Sequence, residues 1–179
     1  PNFLSVNLDK ITFLSRLTDK KLGGGVINDI GCYPISFSNK LANIDKKNNV
    51  KKIEANGKIG LTGIDEFARA IITYENNSFV SDITVSINKK QDGLAIITGT
   101  RGKLVIPNLI TPSKNYSLLV NEKKYNFSGE DLYTYIIRDT QNYISNGVRE
   151  ANKEGLNWKE MKLNCEMIDL WKSQIYKYN

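Results

Sequence analysis

Phe79-Val80-Ser81-Asp82-Ile83-Thr84-Val85-Ser86-Ile87 is the stretch on which the fold turns. Phe79, Ile83, Val85 and Ile87 alternate with Asp82, Thr84 and Ser86, a period of two that gives a strand one face on a core and one on water or a partner. Immediately upstream, Phe67 to Tyr74 reads as a second strand, and Glu75-Asn76-Asn77-Ser78 between them supplies asparagines that tolerate the positive φ of a tight turn. The two are expected to pair antiparallel. Leu94 to Thr98 and Lys103 to Ile106 repeat the pattern around Gly99-Thr100-Arg101-Gly102, and Tyr116 to Val120 and Lys124 to Phe127 do so around Asn121-Glu122-Lys123. With Val50 to Ile59 as a further candidate, the spacing predicts a mainly antiparallel, open sheet of about six strands.

Helical spacing flanks this centre. From Val26 to Leu41, the apolar residues Ile27, Ile30, Ile35, Phe37 and Leu41 suit a helix that kinks or restarts near Gly31 and Pro34. Ser128-x-x-Asp131 reads as a capping-box variant that opens a second helix, and Asn146-Gly147 as its stop. Trp158, Met161, Cys165, Ile168, Trp171 and Ile175 then step by three or four residues, an apolar stripe read as core. The opening segment, Phe3 to Phe13, is mixed and weakly β-like. Strands in the middle with helices on one face make an α+β fold, without the strand-helix alternation of a doubly wound nucleotide-binding sheet. Residues 1–179 are expected to form one domain.

Composition agrees with that size. The chain has 179 residues, 40% hydrophobic and 25% charged, enough for one globular domain with a real core. No apolar run approaches the roughly 20 residues that span a bilayer, and no signal peptide is evident, so a soluble, cytoplasmic protein is expected. The start at Pro1, without an initiator methionine, is expected of a piece of something longer. Cys32 and Cys165 lie far apart, outside any zinc or disulfide pattern, and are read as small buried hydrophobes. The absence of histidine removes the usual base of a Ser/His/Asp mechanism and the commonest ligand of zinc, copper or haem, so no metal site is expected. Acid-base chemistry then falls to Tyr, Lys, Asp or Glu. The net charge of +6 is dispersed: Asp45 to Lys52 holds four lysines but also Asp45 and two asparagines, with no interleaved aromatics to stack bases. Neither nucleic acid nor a membrane is an expected partner.

The chemistry-bearing stretch is Leu22-Gly23-Gly24-Gly25-Val26-Ile27-Asn28-Asp29-Ile30-Gly31-Cys32-Tyr33-Pro34. It sets a carboxylate, Asp29, and a phenol, Tyr33, one helical turn apart directly after glycines that let the backbone come close to its neighbours. That pairing points to proton chemistry on a small ligand. The glycines are not a dinucleotide fingerprint, because Asn28 occupies the third glycine position and Thr18 to Lys21 is no strand. Gly99-x-x-Gly102-Lys103 likewise lacks the spacing of a phosphate loop. On a plainer reading, Asp29 caps a helix and Tyr33 is a core aromatic with its hydroxyl satisfied.

Gly23 to Pro34 resembles the G-G-G-x-x-x-D-x-G-x-[HY]-x element that opens the C-terminal domain of the glucose-fructose oxidoreductase / inositol dehydrogenase (Gfo/Idh/MocA) family. Gly63-Ile64-Asp65-Glu66 resembles the family's V-D-E, Ile97-Thr98-Gly99-Thr100-Arg101-Gly102 its I-x-G-T-x-G turn, and Ile144-Ser145-Asn146-Gly147 its I-x-x-G. The resemblance runs from about Arg16 to the C-terminus.

What it implies is the C-terminal, substrate-binding and oligomerising domain of an NAD(P)-dependent oxidoreductase whose N-terminal Rossmann domain is absent from this chain. NAD or NADP would be held mainly by that absent domain, which also carries the lysine of a Glu-Lys-Pro motif. Asp29 and Tyr33 take the catalytic positions, and Arg16 and Asn28 are assigned to substrate binding. The implied substrate is a sugar, nucleotide-sugar or related polyhydroxy compound, the implied assembly a homo-oligomer through the sheet face, and the chain alone is expected to be inactive. The chemistry is coherent: hydride transfer from an alcohol needs a base for the hydroxyl proton. A phenol, which ionises near pH 10, serves best beside a cation. The alternative is a non-catalytic oligomerisation or binding module built on an open antiparallel sheet.

Overall fold

Period-two alternation becomes a pleated sheet with a buried and an outer face. The protein's structure is a computed structural model, which describes residues 3–5, 15–44, 48–75, 79–89, 92–111, 113–151 and 155–177. Pro1–Gln91 with Lys162–Asn179 forms one compact unit and Asp92–Met161 a second. In the first, β1 (Phe3–Ser5), β2 (Val50–Ile59), β3 (Asp65–Tyr74) and β4 (Val80–Ser86) form a sheet in the order β1-β4-β3-β2, antiparallel except for the β1–β4 pair. The register Ala55↔Ala70↔Ile83 and Gly57↔Ala68↔Val85 sets small residues of β2 and β3 beside branched residues of β4 on the inner face. Smallness here has a purpose: a Cβ on Gly57 would lie 2.7 Å from Ile175 Cδ1.

Two helices cover that face. A π-helical turn, Ile27–Gly31, leads straight into α1 (Cys32–Ala42). Pro34 sits in the first turn of α1 and cannot donate to a carbonyl four residues back, which suits the wider π turn before it. Gly31 keeps helical dihedrals, so the expected kink is a change of helical pitch rather than a break. The last turns of α3 (Trp158–Tyr176) bring in Met167, Trp171 and Ile175, and Trp171 packs against Gly31, where a Cβ would stand only 3.0 Å from its ring.

A buried polar chain ties the layers together. Tyr74 Oη on β3 donates to Asn39 Oδ1 on α1 at 2.7 Å, and Asn39 Nδ2 donates to Asn164 Oδ1 on α3 at 2.8 Å. With each group satisfied, the chain specifies one seating of both helices on the sheet. Gln174 protects the free edge of β2, accepting from the Ala55 N–H at 2.8 Å and donating to the Ile53 carbonyl at 2.7 Å. On the outer face, Arg69 grips Asp82 through two bonds, 2.8 and 2.6 Å, and this hydrogen bonding holds the Asp82 carboxyl below the usual carboxylate range.

In the second unit, β5 (Ala95–Gly99), β6 (Gly102–Ile106), β7 (Asn115–Val120) and β8 (Lys123–Ser128) form an antiparallel meander in sequence order. The β7–β8 turn places both Asn121 and Glu122 at positive φ, 47° and 71°, the combination whose twist matches a hairpin. α2 (Leu132–Ser145) ends in a Schellman motif, with Gly147 N–H bonded to the Ile144 carbonyl and Val148 N–H to that of Tyr143.

The α+β class and the open antiparallel sheets follow the sequence reading, but the strands divide into two four-stranded sheets instead of one of about six. Ser128 closes β8 and does not open a capping box; Asp131 is the N-cap, accepting from the Tyr133 N–H at 3.0 Å. The α3 stripe is buried only toward its end. Asn164, Met167, Trp171 and Ile175 are inside, whereas Trp158, Met161 and Cys165 are exposed. The weakly β-like reading of Phe3 to Phe13 holds at Phe3–Ser5; residues 6–13, and the turn asparagines 76 and 77, lie outside the described residues. Among the described residues, no helix is long and apolar enough to cross a membrane.

Burial pushes the Tyr74 phenol above its ordinary range. Because the folded-state value exceeds the unfolded one near pH 10, its contribution to stability is complete below that pH and is lost as pH rises. Tyr74→Phe is expected to cost about 1–2 kcal/mol at pH 7 by orphaning Asn39 Oδ1. It should also remove about 1.4 kcal/mol per pH unit from the slope of stability above pH 10, read from urea unfolding between pH 7 and 11.

Candidate active site

The segment before α1 is folded back on itself by its glycines. Asp19 caps a 3-10 turn, Lys20–Leu22, by accepting from the Lys21 N–H, and Gly23 ends that turn at φ 75°. Gly24 is hemmed in by backbone: a Cβ there would lie 2.7, 2.8 and 2.9 Å from the carbonyl oxygens of Leu17, Asp19 and Arg16. Gly25, at φ 110°, leaves room for the carboxylate of Asp65 where a Cβ would collide with it. Backbone bonds from Gly24 to the Asp19 carbonyl and from Gly25 to that of Leu17 close the loop.

This closure brings Arg16 to Asp29. Arg16 Nη2 donates to Asp29 Oδ1 at 2.8 Å, with the guanidinium 64% exposed and the carboxylate 20%. Only one guanidinium nitrogen is engaged, so the others face outward as donors. Tyr33, the second residue of α1, is 53% exposed, and its hydroxyl makes no hydrogen bond among the described residues. Asn28 is differently placed. Its Nδ2 donates to the Gly23 carbonyl at 2.9 Å and its Oδ1 accepts from Lys172 Nζ at 3.3 Å, so both ends of the amide are used in joining the glycine loop to α3. Cys32 lies between Asp29 and Tyr33 half-buried; burial raises its thiol, which therefore stays protonated and is no nucleophile.

Arg16, Asp29 and Tyr33 thus lie around the N-terminal end of one helix, and the structure seals none of them in the interior. Two residues around this loop escaped the sequence reading: Asp65, quoted there only as part of a resemblance, and Lys172, which lies 144 residues from Asn28. A carboxylate between the apolar Ile64 and Phe67 was the available signal for the first; nothing local marks the second. Among the described residues, no group of three or more His, Cys, Asp or Glu could hold a metal ion.

Residues 6–105 match the family described as the GFO/IDH/MocA C-terminal domain. The chain belongs to that family. Trans-1,2-dihydrobenzene-1,2-diol dehydrogenase from Mus musculus is 29% identical over 150 residues, covering 82% of this chain and 43% of that enzyme. The enzyme of that name from Xenopus tropicalis is 32% identical over 113 residues, covering 63% of this chain and 32% of its own length. This Gfo/Idh/MocA chain therefore spans less than half the length of these relatives. Among solved structures, the 3-ketoreductase KijD10 from Actinomadura kijaniata, in complex with NADP and TDP-benzene, matches at a TM-score of 0.80 and 14% identity, over 97% of this chain and 52% of that one. Aldose-aldose oxidoreductase from Caulobacter crescentus, complexed with glycerol, matches at a TM-score of 0.75 and 10% identity, over 99% of this chain and 53% of that one. At such identities these two share the Gfo/Idh/MocA fold.

The glycines have separable costs. Gly23→Ala, with nothing near the added methyl, is expected to cost about 1 kcal/mol for its left-handed backbone alone. Gly25→Ala adds a collision with a buried carboxylate and is expected to cost roughly 2–4 kcal/mol. Urea denaturation of the two variants side by side measures the difference.

Proposed function

We propose that this chain is the C-terminal, substrate-binding and oligomerising half of an NAD(P)-dependent oxidoreductase that acts on a sugar, nucleotide-sugar or related polyhydroxy compound in the cytoplasm. The observation that carries the reading is the Arg16–Asp29 pair held by the glycine loop at the head of the helix on which Tyr33 lies exposed. Family membership supports the reaction class, since the curated relatives are dehydrogenases of a diol, and the solved NADP complexes support the cofactor type.

The nicotinamide, when bound, accepts or returns a hydride. Both described sheets are mainly antiparallel and supply no strand-helix-strand phosphate cradle, so a further part of the enzyme is assigned the dinucleotide. The residues of this chain do the rest. Tyr33 takes the proton from the reacting hydroxyl in oxidation and returns it to the carbonyl oxygen in reduction. Asp29, ion-paired with Arg16, keeps the guanidinium turned toward the substrate, where its spare N–H groups bind hydroxyl or carbonyl oxygens. Asn28 supports substrate binding by keeping the loop that carries Asp29 against α3.

A specific observation favours assembly as well. On one face of the second unit's sheet, Tyr116, Val120, Tyr125 and Phe127 are exposed, and Tyr116 stacks on Phe127 with ring centroids 5.2 Å apart. A second copy covering this face would remove an apolar surface of the kind monomers rarely leave open.

In the parent enzyme, Tyr33→Phe is expected to lower kcat by 10²–10⁴-fold, the usual contribution of a proton-transfer group. Steady-state kinetics that stay within about threefold of wild type exclude that role. In sedimentation velocity the wild-type protein is expected to associate and Phe127→Glu to shift it toward monomer; a wild type that is monomeric at tens of micromolar argues against the sheet interface.

A further inference from the structure

We infer that Asp65 is a positioning residue, a buried carboxylate that sets the geometry of Arg16, Asp29 and Tyr33 without touching substrate; the inference rests on the oxidoreductase reading above. Asp65 is the first residue of β3 and is 0% exposed. Carboxylates almost never occupy such positions unless the surroundings hydrogen-bond them, because desolvating the charge is costly. Both of its oxygens are used. Oδ2 accepts from the Ile27 N–H at 2.7 Å, and Oδ1 accepts from Tyr176 Oη at 2.8 Å, while Tyr176 Oη in turn accepts from the Asp65 N–H at 3.1 Å.

Ile27 is the first residue of the π turn, and Asp29 is the third. The first N–H groups of any helical segment have no partner within it and form its positive end. The local cap position is held by Val26, whose side chain cannot accept, and both Val26 and Ile27 are sealed from water. The missing acceptor comes instead from Asp65, 38 residues away. Its carboxylate also takes the space that Gly25 leaves open, so the last glycine of the run and the start of the π turn are shaped around one side chain.

The consequence reaches the site through backbone. With Ile27 pinned and Asp29 N–H bonded to the Gly25 carbonyl at 3.2 Å, the turn cannot rotate without breaking the Asp65 bond. Rotation would carry Asp29 away from Arg16 and tilt the start of α1, where Tyr33 lies. Tyr176 completes the device as donor: burial foremost, then its bond to Asp65, pushes its phenol well above the ordinary range, so it stays protonated. Lys20 Nζ lies over the Tyr176 ring, 5.3 Å from its centroid.

The experiment compares Tyr176→Phe, Asp65→Asn and Asp65→Ala in the parent enzyme, reading kcat, KM and hydrogen exchange at the Ile27 amide. Tyr176→Phe removes the far partner of Asp65, the one that donates to its Oδ1 and accepts from its N–H, and leaves the Ile27 bond itself in place. It is expected to speed exchange at Ile27 by about tenfold or more and to lower kcat by about tenfold, with KM moved less than threefold, as small misplacements of catalytic groups do. Asp65→Asn can rebuild both bonds, accepting from Ile27 through Oδ1 and donating to Tyr176 through Nδ2, and is expected to keep kcat within about threefold of wild type, whereas Asp65→Ala loses it. The assignment is overturned by an Ile27 amide that exchanges as in wild type in Tyr176→Phe, by faster exchange with unchanged kcat, or by Asn harming turnover as much as Ala. A wild-type enzyme without nicotinamide-linked turnover overturns the reading on which the assignment rests, and the assignment with it. The exchange arm needs no turnover, and so separates that case from a tether that fails to hold Ile27.

Discussion

A carboxylate sealed from solvent and held by one backbone N–H and one phenol is the constraint around which this half of the molecule is arranged. Removing water from a charge costs several kcal/mol in real proteins, and only well-made hydrogen bonds offset it. Asp65 therefore dictates what stands around it. Gly25 must lack a side chain, Ile27 must begin a helical segment, and the last turn of α3 must deliver Tyr176. The start of β3, the end of α3 and the head of α1 meet at one point.

The π turn is the natural outlet for those demands. Such wide turns are rare and occur at functional sites, where they re-aim side chains within an otherwise regular helix. Here the turn carries Asp29 to Arg16, while α1 continues over the sheet and is locked by Asn39. The same element is thus rigid along its inner face and open at its head. An ion pair with a largely exposed guanidinium adds little to stability, typically under about 1 kcal/mol, so the loop is held by its backbone bonds rather than by this pair.

The second unit shows the opposite balance. α2 buries none of its side chains, and Leu132, Ile136, Ile137 and Ile144 are all exposed, as are the aromatics of β7 and β8. Its backbone geometry is nonetheless well specified by the I′-type hairpin turn and the Schellman cap. Local turn chemistry can define a meander whose apolar surface is left for another surface to cover.

What could be read from the sequence was what is encoded locally. Alternation over residues 79–87 specifies a strand because side chains in a pleat point to opposite faces, and Asn146-Gly147 specifies a helix end because glycine reaches the left-handed backbone without strain. The glycine run flagged Asp29 and Tyr33 for the same reason. Tertiary packing alone decided the rest: the split of the strands into two sheets, the burial of only the last turns of the α3 stripe, and the partners of Asn28 and Asp65. Those contacts join residues 38 to 144 positions apart, and no local period reports on them. Which carboxylate is buried is set by the backbone donors that the folded chain brings to it.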